Sequence, residues 1–109
     1  MSDELGYDLR LPRLDGRVWR AEVKATRSAR VPLRLYLSRG EAEAGRRLAD
    51  WVLVLCHVSP NGISEVIGWC LFSSLRRYLP QDQHRHGRWN SVQIMLAPSE
   101  LIAGIPPLG

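Results

Sequence analysis

Lysine is almost missing from this chain. Fifteen residues are Lys or Arg, and Lys24 is the only lysine among them. Cysteine is nearly as scarce. Cys56 and Cys70 are the only two, fourteen residues apart and each inside an apolar run. That excludes a disulfide-built scaffold and gives no zinc site by itself, so buried free thiols are expected. No apolar run approaches the roughly 20 residues of a membrane-spanning helix. The opening Met1-Ser2-Asp3-Glu4 is polar and acidic, unlike a secretory signal, so a cytoplasmic protein is expected. No repeat, linker or low-complexity tract divides the 109 residues, which suit one domain with one core.

What the chain has in excess is arginine. Its net charge is +4 and its isoelectric point about 9.7, a balance that permits nucleic acid as a partner. Arg10, Arg13, Arg17, Arg20, Arg27, Arg30 and Arg34 crowd the first third. Such a cluster is either a solvated polar face or a phosphate-contacting rim.

Periodicity sets the expected elements. A first strand runs from Tyr7 to Pro12, and Asp15-Gly16 is a strong hairpin-turn signal. A second strand covers Arg17 to Thr26. Leu33, Leu35 and Leu37 alternate with Arg34 and Tyr36, a half-buried third strand. Ser38-Arg39-Gly40-Glu41 is a capping box opening a helix to about Ala49, with Ala42, Gly45, Leu48 and Ala49 on its packing side. Trp51 to Val58 is continuously apolar, as in a central strand buried on both faces. Ile63 to Leu71 is the return strand. A short helix over Ser73 to Leu79 stops at Pro80. Gln81 to Arg88 is a polar, basic loop and Trp89 to Leu96 a final strand. The tail is irregular, with at most one helical turn. The order predicts an α/β (α+β) fold, a central mixed β-sheet flanked by helices, in one domain.

The second strand carries the chemistry. With period two, Glu22 and Lys24 share a face with Val18 and Arg20, while Trp19, Ala21, Val23 and Ala25 form an apolar face. This predicts a site on the exposed side of a packed strand. Pairing through Asp15-Gly16 would bring Asp8 toward Glu22. The single lysine is either a chance survivor in an arginine-rich chain or a position that needs an ammonium. A compact point charge whose pKa moves on burial suits work beside a water nucleophile, and a guanidinium does not.

This order and these residues resemble the PD-(D/E)xK nuclease superfamily, with its restriction-endonuclease-like core. Asp8 matches the first carboxylate, and Glu22-Val23-Lys24 the (D/E)xK. The chain is most similar to the branch named after the NO VEIN C-terminal domain. That likeness rests on Gly6-Tyr7-Asp8-Leu9, Ala21-Glu22-Val23-Lys24, Leu37-Ser38-Arg39-Gly40-Glu41 and Trp51-Val52-Leu53-Val54, in that order. The resemblance implies a metal-dependent endonuclease hydrolysing DNA phosphodiester bonds, as the cleaving module of a restriction or phage-defence system. It implies Asp8, Glu22 and the Val23 carbonyl as ligands of Mg²⁺ or Mn²⁺, and Lys24 as the group that orients water or meets developing charge. Arg20, Thr26, Arg27, Arg30 and Arg85 would contact the DNA. Such domains begin with a helix ahead of the Asp-bearing strand, which this chain is too short there to hold. It is therefore expected to be one nuclease-like domain over 1–109, either a piece of a larger protein or a minimal or degenerate domain, with a homodimer or a multi-domain or multi-subunit parent in view.

The competing reading is an inactive nuclease-like module that binds nucleic acid or a partner protein. Two further features have plain readings. His84-Arg85-His86, near Asp82 and Asn90, lacks the ββα context of an HNH site and reads as a basic, DNA-contacting loop. Trp19, Trp51, Trp69 and Trp89 sit in or beside apolar strands, which favours core packing over base stacking.

Overall fold

Asp15-Gly16 turns the chain where expected. The computed structural model describes residues 7–28, 30–80 and 89–109. Strand β1 (Leu9–Pro12) pairs antiparallel with β2 (Val18–Thr26). Between them the Arg17 amide donates to Asp15 Oδ1 at 2.9 Å, and Gly16 takes φ +84°, a conformation that favours glycine.

After β2 the chain forms β3 (Leu33–Ser38) and helix α1 (Arg39–Arg47), then returns as β4 (Trp51–Val58), parallel to β2. Strand β5 (Ser64–Leu71) folds back antiparallel on β4, with a register shift at Leu55/Cys56. Strand β6 (Ser91–Leu96) pairs antiparallel with β3, and a two-residue β7 (Ile102–Ala103) closes on β5. The result is one α+β domain. A mixed five-stranded sheet runs in the order β1-β2-β4-β5-β7, and β3-β6 is a separate ribbon. Among the described residues no helix is long and apolar enough to cross a membrane.

The main core lies on one face of the sheet. Trp51, Leu53, Leu55 and Cys70 pack against Leu33, Leu35 and Leu37 of β3, Ala42 and Ala44 of α1, and Ile94 and Leu96 of β6. Trp51 meets Phe72 edge-on at 5.4 Å between ring centroids. A smaller cluster of Ala21, Val52, Val54 and Trp69, with Trp19 beside it, fills the other face. There the tail crosses as a strap: the Trp19 indole N–H donates to the Pro107 carbonyl at 2.8 Å, and Pro106 is fully buried. Three tryptophans are thus packing groups, and Trp89 packs partly buried against the main core. β4 is buried on both faces from Trp51 to Leu55, as its unbroken apolar run predicts.

Four expectations are corrected. The helix ends at Arg47; Ala49 is exposed and Leu48 is already extended (φ −100°, ψ 113°), because the chain must turn into β4. Ser73 to Leu79 forms two separate 3-10 turns, Phe72–Ser74 and Arg76–Tyr78. A segment that short before Pro80 does not sustain an α-helical nucleus. β7 escaped notice because two residues carry no alternation. Finally, the Glu22/Lys24 face of β2 is not the open one. Parallel register sets Glu22 beside Leu53 and Lys24 beside Leu55, so this face turns toward the main core.

Candidate active site

Asp8 is fixed by the hairpin. Its amide donates to the Ala21 carbonyl at 2.8 Å, and its Oδ2 accepts from the Val23 amide at 2.9 Å. The backbone groups of Ala21 and Val23 therefore face the β1 edge, and the Val23 carbonyl lies on that edge with Asp8. Asp8 Oδ1 is buried and accepts no hydrogen bond from a described residue.

Glu22 is only 2% exposed, under the β3–α1 layer. Lys24, two residues on, points the same way. Its Nζ lies 3.6 Å from Glu22 Oε2 and 2.8 Å from Glu41 Oε1. Glu41 is the group the sequence reading missed. Its spacing from Ser38 predicts only the capping-box residue of α1, and it does fill that role. The Ser38 amide donates to Glu41 Oε1 at 2.8 Å, and the Glu41 amide donates to Ser38 Oγ at 3.1 Å. The same carboxylate then reaches Lys24, a contact that depends on how α1 sits over β2 and leaves no trace in local spacing.

Three carboxyl groups and one ammonium thus converge where water is largely excluded, and protonation must balance them. Burial first, then the neighbouring Asp8 and the charge of Glu41, push Glu22 up to about 9, against the pull of Lys24. Burial also acts to raise Glu41. The bonds from Lys24 and the Ser38 amide outweigh it and hold Glu41 below its ordinary value. These opposite shifts favour a protonated Glu22 beside an ionised Glu41 near neutral pH.

Asp8, Glu22 and Lys24, predicted as one site, are brought together. The predicted nucleic-acid residues are not gathered in one place. Arg20 is committed to Asp50, both of whose carboxylate oxygens lie 2.6 Å from its Nη1. That bond raises its pKa, with Tyr7 adding to the effect. Thr26 is buried, and its hydroxyl donates to the Ser28 carbonyl at 3.1 Å. Arg27 and Arg30 are exposed on the β2–β3 connection. Arg85 and the His84-Arg85-His86 loop lie outside the described residues, as do Asp3 and Glu4. Among the described residues no group of three or more His, Cys, Asp or Glu side chains is placed to hold a metal ion. Compared with protein-family models, curated proteins and solved structures, the chain gives no match.

Proposed function

We propose that this domain is a metal-dependent endonuclease acting on DNA, with Asp8, Glu22 and Lys24 as its site and a restriction-endonuclease-like core. The observation that carries the reading is the buried convergence of those three groups. The topology supports it as well. The Asp-bearing and Glu-x-Lys-bearing strands are antiparallel neighbours, and the next strand in the sheet runs parallel after a helix.

The donor set suits a hard divalent cation. Two carboxylates and a backbone carbonyl, completed by water and substrate phosphate, are what Mg²⁺ takes. Asp8 and Glu22 would hold it, with the Val23 carbonyl on the same edge. Bound there, it supplies charge neutralisation at the scissile phosphate and a more acidic water. Glu22 must give up its proton for this, so loading is linked to proton release. Lys24 sets an ammonium against the charge that develops on the phosphoryl oxygens. Glu41 holds Nζ at 2.8 Å, so that the ammonium is positioned before substrate arrives. Glu41 is therefore a positioning residue. A place in a restriction or phage-defence system belongs to the same proposal.

The test is nicking of supercoiled plasmid with Mg²⁺ or Mn²⁺, against EDTA and against Lys24→Ala. Metal-dependent nicking that falls about 100-fold or more in the variant is the expected result. Full-rate cutting by Lys24→Ala would overturn the site. A wild-type protein that binds DNA and never cuts it would put a binding module in its place.

A further inference from the structure

The arginines of β2 divide between its two ends. Toward its start, Arg13 stacks on Trp19 at 3.6 Å, Arg17 lies 3.9 Å from Asp15, and Arg20 is tied to Asp50. These guanidiniums have partners. Past its end, Arg27, Arg30 and Arg34 are all exposed, and none has a carboxylate within ion-pair distance among the described residues.

These three arginines line one cavity of about 470 Å³, with Thr26 and Ser28. Arg27 is also one wall of an adjoining cavity of about 450 Å³ beside Ser59. Among the described residues no acidic side chain lines either one. The two flank the carboxyl ends of the parallel strands β2 and β4, where α/β sheets commonly receive ligands. The loop is braced by its own bonds. Thr26 Oγ1 donates to the Ser28 carbonyl at 3.1 Å, the Arg30 amide donates to Ser28 Oγ at 3.2 Å, and His57 Nε2 lies 3.3 Å from the Arg27 carbonyl.

We infer that this pocket is a phosphate site for a nucleic-acid strand, with Arg27, Arg30 and Arg34 gripping backbone phosphates beside the Asp8/Glu22/Lys24 cluster. Three unpaired guanidiniums without a carboxylate are a binding set for phosphate, which they can meet bidentately. Position gives the path. Thr26 is two residues beyond Lys24 on the same face of β2, about 7 Å along the strand. That is about two nucleotide rises along one strand of a duplex. A backbone lying over Lys24 would therefore reach the arginine pocket one or two phosphates away. This deepens the nuclease reading by naming the direction of the strand, and it rests on that reading for the position of the cut.

Binding is measured by fluorescence anisotropy of a labelled 20-nucleotide strand and of its duplex, in EDTA so that no cutting intervenes. Inorganic phosphate is added as competitor. The wild type is expected to bind with a steep salt dependence. The Arg27→Ala/Arg30→Ala/Arg34→Ala variant should lose 10-fold or more in affinity, and the slope of log K against log salt should fall by about 2 to 3. Arg17→Ala removes a charge from the opposite end of β2 and should leave affinity and slope within experimental error. Equal losses per charge in the two variants would mean only a diffuse basic surface and would overturn the pocket. So would wild-type affinity in the triple variant, or no binding by the wild type. Displacement of the strand by low-millimolar phosphate would assign the pocket to a free anion and overturn the strand path. Because the readout needs no metal, binding that depends on these arginines without any plasmid nicking would sink the nuclease reading alone.

Discussion

Among the described acidic residues, Glu22 sits in the most demanding environment. It is buried among carboxylates, and Lys24, its nearest cation, is held closer by Glu41 than by Glu22 itself. Its carboxyl is pushed up to about 9 from an ordinary value of 4.5. The native state therefore binds a proton that the unfolded chain releases, and stability falls as pH rises between those limits. Glu22→Gln keeps the shape and the neutral form. Urea unfolding at pH 5 should scarcely separate the two proteins. By pH 9 the variant should be the more stable, by about 2 kcal/mol or more, since one pKa unit is worth about 1.4 kcal/mol. A wild-type midpoint that stays level from pH 5 to 9 would mean that Glu22 is ionised throughout. The same variant should fail in the plasmid assay, because a neutral amide does not supply the carboxylate charge that the cation needs.

At the scale of elements, α1 is held at both ends by contacts of different kinds. Its start is fixed by the Ser38–Glu41 box, which also delivers Glu41 to the site. Near its end Gly45 lies against Phe72, and a Cβ built on it would fall 2.1 Å from the Phe72 ring. Alanine is the better helix former by about 1 kcal/mol. Even so, Gly45→Ala should lower stability by about 1–3 kcal/mol, because the helix must lift off the ring or the ring must leave its place beside Trp51. Thermal unfolding checks this; a raised melting temperature would contradict the packing. The box was legible in four consecutive residues, since capping is a local bond. The Gly45–Phe72 contact was not, since it joins residues 27 apart whose meeting depends on the turn into β4.

For the whole molecule, the sheet separates a deep core from a shallow one, and Cys70 reports on the first. Burial pushes its thiol up to about 12, and only 2% of the residue is exposed. Cys56 is half-buried, and burial raises its thiol too. Alkylation at pH 8 should modify Cys56 first. Cys70 should react only at the rate of global unfolding and become modified at once in denaturant. Equal rates in native buffer would mean that the β4–β5 core opens locally. The same separation of faces reversed the exposure expected for the Glu22 side of β2. Alternation identifies which residues share a face. Which of two faces meets the larger core depends on the layer stacked above it.

The sequence alone determined what short-range physics can determine. Asp15-Gly16 set the hairpin, because few residues accept that turn. The unbroken run from Trp51 to Leu55 set the central strand, because only a doubly covered strand buries every side chain. Period two placed Glu22 with Lys24, and the hairpin brought Asp8 beside them. Tertiary structure alone decided the rest. It carried Glu41 from a helix cap to Lys24, tied Arg20 to Asp50, and set Arg27, Arg30 and Arg34 around one cavity. It also put the Glu22/Lys24 face against the core. Each of these joins groups through the packing of one element on another, where the deciding energies are burial and the pairing of charge across space, and neither is written in the spacing of residues along a strand.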